Sequence, residues 1–160
     1  MGCDIHAHLE IKIVPKDFRE QVKGALSQST GWYYYSPVKI YRNYHLFSFM
    51  ANVRNYDKQI RPLDDPRGIP EDASLITRME RDAWGMDGHS HSWLGLDELV
   101  LLKNYCIKNK MISWGSYKDE DFEPFLNVYL FGNYITSLKE HPEEYPSELD
   151  DVRLVFWFDN

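Results

Sequence analysis

From Cys3 to Lys12 the chain alternates strictly: Cys3, Ile5, Ala7, Leu9 and Ile11 are apolar, and Asp4, His6, His8, Glu10 and Lys12 are polar. Successive side chains of extended backbone point to opposite faces, so the run predicts a half-buried strand with its odd positions in the core. On the polar face, neighbours two residues apart stand about 6.5–7 Å apart, given a rise of about 3.3 Å per residue. Two such side chains can converge on one metal ion or one phosphate. Asp4 and His8, about 13 Å apart by the same rise, cannot share a zinc ion whose bonds to nitrogen are about 2 Å long. The unit with chemical meaning is therefore Asp4 with His6, or His6 with His8, and the alternative is an ordinary solvated strand face.

Pro15 ends that ladder, and Phe18, Val22 and Leu26 follow at helical spacing. GWYYYSPVKIY reads as aromatic strand, turn and strand, with Pro37 confined to an edge. NYHLFSFMANVRN reads as a helix capped by Asn43, with Phe47, Met50 and Arg54 on one face. The proline-rich stretch RPLDDPRGIPEDAS is a loop, after which Asp72 or Ser74 caps a helix through Ile76, Met79 and Ala83 that stops at Gly85. GMDGHSHSWLGL reads as a second loop, leading into a helix whose Leu99, Leu102 and Cys106 form a buried stripe. Phe122, Phe125, Tyr129 and Leu138 predict the longest helix over 119–141, with Pro124 in its first turn. DVRLVFWFD reads as a strand buried on both faces. Strands first, helices next and one strand last predict an α+β fold: a largely antiparallel sheet including the N- and C-terminal strands, with about four helices packed against it. If the first and last strands pair antiparallel, Asp159 lies beside Asp4 and His6.

Composition narrows the function classes. A chain of 160 residues, 43% hydrophobic and 15% aromatic, is expected to form a single domain over 1–160 with a substantial core. A net charge of −7 argues against duplex nucleic acid, whose binding requires many phosphate neutralisations, and leaves room for a small anion held by local arginines. Two cysteines and no signal-like N-terminus predict a reduced cytoplasm, and no run approaches the roughly 18 apolar residues of a membrane span. Met-Gly-Cys invites N-terminal acylation, but His6 stands where the myristoylation motif has Ser or Thr.

The candidate chemistry lies in two segments. GHSHSW places His89 and His91 between glycine and tryptophan ahead of a helix, where free backbone N–H groups and the helix dipole favour anions and histidine adds a titratable group. If the opening strand meets that loop, His6, His89 and His91 are the candidate acid and base groups, and Asp4 with His6 a tentative site for a divalent metal. Arg42, Arg54 and Arg67 are the candidate clamp on phosphoryl oxygens, since planar guanidinium forks suit phosphate. Tyr44, Ser90 and Trp93 complete the ligand-binding set. The plainer reading gives the arginines to surface ion pairs, the loop histidines to carbonyls and Trp93 to the core.

MGCDIH, RNYHLF with VRN, PRGIPED and GHSHSWL together resemble a family of small proteins encoded in phage and some bacterial genomes. The resemblance spans most of the first hundred residues. It implies a phage setting in the bacterial cytosol, and with it the binding or cleavage of nucleotide signals of bacterial immunity. Two-histidine phosphoesterases carry two H-x-[ST] motifs; HSHS offers overlapping matches, but HAH has no hydroxyl. H-E-x-x-H, Walker, G-x-G-x-x-G and C-x-x-C motifs are all absent from the sequence. The leading expectation is hydrolysis of a phosphoester bond in a small nucleotide. The alternatives are a non-catalytic nucleotide sponge and a protein that inhibits a host defence factor; self-association is left open.

Overall fold

The computed structural model describes residues 2–13, 31–109 and 149–160. Four strands and three helices appear there: β1 (Ile5–Ile13), β2 (Trp32–Pro37), α1 (Tyr44–Ala51), α2 (Leu75–Trp84), β3 (His89–Gly95), α3 (Leu96–Lys108) and β4 (Leu149–Phe158). The helices expected around 18–26 and over 119–141 lie outside the described residues.

The strands form one antiparallel sheet in the order β2-β1-β4-β3. The first and last strands are thus its central pair, in register from Ile5 opposite Phe158 to Ile11 opposite Val152. Pro37 stands at the end of edge strand β2, where its missing N–H breaks no ladder. The GHSHSWL segment, read from sequence as a loop, is strand β3 from His89 onward. Glycine and serine mask its strand character, and pairing with β4 supplies what local propensity lacks.

The two faces of the sheet differ in kind. One carries Ile5, Ala7, Leu9 and Ile11 of β1 with Val152, Leu154, Phe156 and Phe158 of β4, all buried against Phe47 and Met50 of α1 and Leu99, Leu102 and Cys106 of α3. Asn43 caps α1, its Oδ1 accepting from Leu46 N–H at 3.1 Å. The other face carries His6, His8, Glu10, Trp157, Val155 and Arg153, and α2 lies over it.

Because that second face is polar, α2 packs with its polar side down. Ser74 and Thr77 are buried, whereas Leu75, Ile76 and Met79 are 63%, 50% and 63% exposed. The helical period through Ile76 and Met79 was legible, but the stripe it marks faces away from the sheet. Ser74 Oγ accepts from Thr77 N–H, Ser74 Oγ–H bonds Thr77 Oγ1 at 3.0 Å, and Gly85 closes the helix with φ +53.

The centre of the polar face is a buried ion pair. Glu10, with no exposed surface, accepts from Arg153 Nε at 2.8 Å through Oε2 and from Ser74 N–H at 2.8 Å through Oε1. Arg153 also bonds the Asp72 carboxylate at 2.7 Å and the Asp72 carbonyl at 3.1 Å, with its guanidinium 3.9 Å from the Trp32 ring centroid. Removing either partner strands a charge in the interior. Glu10→Ala and Arg153→Ala are each expected to lower unfolding free energy by about 3–5 kcal/mol, read by urea denaturation; the double variant Glu10→Leu/Arg153→Met recovers part of that loss, because no unpaired charge remains.

Cys3 and Cys106 are free and buried, and burial pushes the Cys106 thiol up to about 12. Neither is expected to react with a thiol reagent in the native protein at pH 8, and both react in denaturant; prompt native labelling of Cys106 would contradict this packing.

Candidate active site

Antiparallel pairing of β1 with β4 brings Asp159 to the start of β1. Asp159 N–H donates to the Asp4 carbonyl at 3.1 Å, and Asp4 N–H donates to Asp159 Oδ1 at 3.0 Å. The other carboxylate oxygen, Oδ2, lies 3.0 Å from His6 Nε2. An ionised carboxylate only accepts, so the proton of neutral His6 sits on Nε2 and the lone pair on Nδ1. Nδ1 makes no hydrogen bond among the described residues, and the His6 side chain is 25% exposed. Partial burial works to raise the Asp159 carboxyl, but the bonds from His6 and from Asp4 N–H outweigh it and hold that group below the usual carboxylate range.

Aromatic rings wall this dyad. The Trp84 ring lies 4.1 Å from the His6 ring and Trp157 lies 5.9 Å from it. His91 of β3 stacks on Trp157 at 6.4 Å. Gly88 packs closely among them: a Cβ there would stand 3.2 Å from Trp84 Cβ, 3.5 Å from His91 Nε2 and 3.5 Å from Trp157 Cδ1. His91 Nε2 and Trp157 Nε1 are both buried without a hydrogen-bond partner. Native structures leave few such atoms unpaired, and these two both lie beside Gly88. Burial, then the positive charge of Arg81 and the neighbouring His89, push the His91 imidazole below its ordinary value.

His89 does not join this group. Between His89 and Ser92 the β3 ladder shifts register against β4, and Ser90 takes φ +50. Three steps along β3 match two along β4, from His89 opposite Phe158 to Ser92 opposite Phe156. The bulge turns the His89 ring onto Phe158, 6.2 Å between centroids, while His91 stays on the Trp157 face; His89 Nδ1 and Ser90 Oγ bond each other at 2.9 Å.

The other residues singled out from sequence meet partners within the chain. Asp4 receives Arg42 in a bidentate pair at 2.9 and 2.6 Å. Tyr44 OH accepts from Cys3 N–H, and Arg54 bonds Tyr56 OH and Asn160 Oδ1. Arg67 pairs with Glu98 and Asp64 and lies 4.9 Å over the Trp93 ring. Asp4 spends its carboxylate on Arg42, and His6 its Nε2 on Asp159, so the two do not converge on one point. Among the described residues no group of three or more His, Cys, Asp or Glu side chains could hold a metal ion.

His8, the next polar position on β1, serves the fold. Thr77 Oγ1 bonds its Nδ1 at 3.1 Å and Glu80 Oε2 stands 3.0 Å from its Nε2, so the neutral ring accepts from the threonine and donates to the carboxylate. Burial pushes its titration down, against the pull of Glu80 and Glu10. No family model, curated protein or solved structure matches the chain.

Both His8 and His91 titrate lower in the folded chain than when unfolded, so the unfolded chain takes up protons first as pH falls. Stability is therefore full above the ordinary histidine value and declines as pH drops through it toward the folded values. His8→Gln and His91→Gln are each expected to make that decline shallower in denaturation curves between pH 7.5 and about 5; unchanged slopes in both would contradict the assignment.

Proposed function

We propose that the protein hydrolyses a phosphoester bond of a small nucleotide, with His6 as general base. The observation that carries this reading is the His6–Asp159 pair on the same sheet face as the unpartnered nitrogens of His91 and Trp157. Asp159 fixes the tautomer, and His6 Nδ1 takes a proton from the attacking water as that water's oxygen bonds phosphorus and the ester oxygen departs. Trp157 Nε1–H and His91, donating through Nε2 in the matching tautomer, would bond the phosphoryl oxygens on which charge builds. Arg81, close enough to depress His91, adds positive field, and the Trp84 ring offers an apolar wall. The phage setting implied by the sequence resemblance suits a nucleotide of host immune signalling as substrate.

A protein-interaction role has its own support in the outward apolar residues Leu75, Ile76 and Met79 of α2. A stable complex with a host protein that survives loss of His6 and His89 would favour it.

The test is incubation with linear and cyclic nucleotides, followed by chromatography of free and heat-released ligand. Turnover is expected, falling by about 10² or more in His6→Ala and in Asp159→Asn, the usual scale for losing general base catalysis. Gly88→Ala is expected to stay folded, since the Trp84 contact must yield only a few tenths of an ångström, yet to lose turnover because its methyl comes against His91 Nε2 and the Trp157 ring. Nucleotide recovered intact from the protein would replace hydrolysis with sequestration. Turnover abolished by chelation would overturn the metal-free base role drawn for His6.

A further inference from the structure

On the opposite side of the sheet, α1, α3 and the 61–63 loop border an open, shallow groove of about 470 Å³. Its aromatic wall is a stacked pair: the Phe49 and Tyr105 rings lie 3.6 Å apart and 2° from parallel. That wall is held in place, since His45 Nε2 and Tyr105 OH bond each other and Leu63 N–H donates to the Phe49 carbonyl at 2.7 Å. Asn55 fixes the loop by donating to the Ile60 carbonyl at 2.7 Å. Asn104 of α3 also lines the groove, one turn from Leu101 and Lys108.

The charge of this groove runs against that of the molecule. In a chain of net charge −7, Arg61 and Lys108 both border it and are exposed, and neither has a hydrogen bond or ion pair among the described residues. Three chemistries therefore meet in one space: an aromatic stack, an amide with one donor and one acceptor side, and two cations with no partner among the described residues. An aromatic wall takes a planar ring by stacking. A carboxamide matches the N6–H and N7 pair of adenine. Guanidinium and ammonium groups take phosphate oxygens. A peptide anchor would use the apolar wall and one cation but leave the amide without a role.

We infer that this groove binds an adenine nucleoside monophosphate, with the base against the Phe49–Tyr105 wall, its N6/N7 edge on Asn104 and the phosphate between Arg61 and Lys108. It is a second nucleotide site, and it stands independently of the His6 site, from which the sheet separates it.

The experiment uses the full chain and amide-resolved NMR titration with AMP, adenosine, UMP and inorganic phosphate. AMP is expected to give saturable shifts at residues 49, 61–63 and 101–108. Adenosine is expected to bind about tenfold more weakly or less, because it forfeits charge-assisted hydrogen bonds; UMP is expected to bind more weakly than AMP, and phosphate to shift only the neighbours of Arg61 and Lys108. Arg61→Ala and Lys108→Ala, both at exposed positions, should each weaken AMP, and Asn104→Leu should erase the preference over UMP. His6→Ala should leave these shifts unchanged. AMP shifts absent from the groove at millimolar ligand, or shifts that persist in the Arg61→Ala/Lys108→Ala double variant, would overturn the inference. Shifts confined to the surroundings of His6 would overturn it too, while leaving the hydrolase reading standing.

Discussion

The Glu10 carboxylate, taken out of water beneath α2, sets the conditions for the polar half of this molecule. A buried charge is tolerated only when its oxygens are bonded and its charge is matched. Here one oxygen is given to the backbone at the start of α2 and the other to Arg153 of the neighbouring strand, whose remaining nitrogens hold Asp72. One side chain thereby ties the two central strands to the loop that launches the helix. The beginning of α2 is fixed at that point, and a helix rises about 1.5 Å per residue. Its tenth residue, Trp84, is delivered over His6 at the far end of the same strand face. The histidine dyad and the buried ion pair are two ends of one layer.

That layer also explains which parts of the fold could be read from sequence. Asn43, Gly85, the Leu99–Leu102–Cys106 stripe and the alternation of residues 3–12 are local signals, and each element they mark is present. The orientation of α2 is not local. Its apolar residues at 75, 76 and 79 would face inward over an apolar sheet, but the histidines, glutamate and arginine beneath it need polar partners. Tertiary demand overrides the helix's own amphipathic preference. β3 is a parallel case: His-Ser-His-Ser has weak strand propensity, and its pairing comes from a partner more than fifty residues downstream.

The site was legible in part for the same reason. Strand alternation marked His6, and antiparallel pairing of the chain's outer strands marked Asp159 as its neighbour. Trp84, Gly88 and the indole nitrogen of Trp157 carried no signal, because what they contribute is a shape and an unsatisfied atom, and both exist only once three elements converge. The arginines were visible as charges, yet nothing in their spacing told which carboxylate each would meet. Arg42 and Arg67 found acidic partners within the chain, which is the common fate of cations in an acidic protein.

The register shift at Ser90 has a consequence for how this segment could change. A single extra residue in β3 decides that His89 and His91 look out on opposite sides of the sheet. Loss of Ser90 would remove the bulge yet leave the two histidines adjacent and still on opposite faces, whereas a regular ladder with every residue kept would slide His89 opposite Asp159 and bring it round to the side of His91. The difference between a one-histidine wall and a two-histidine wall is thus a slip of one residue along β4, a change of register with no change of sequence.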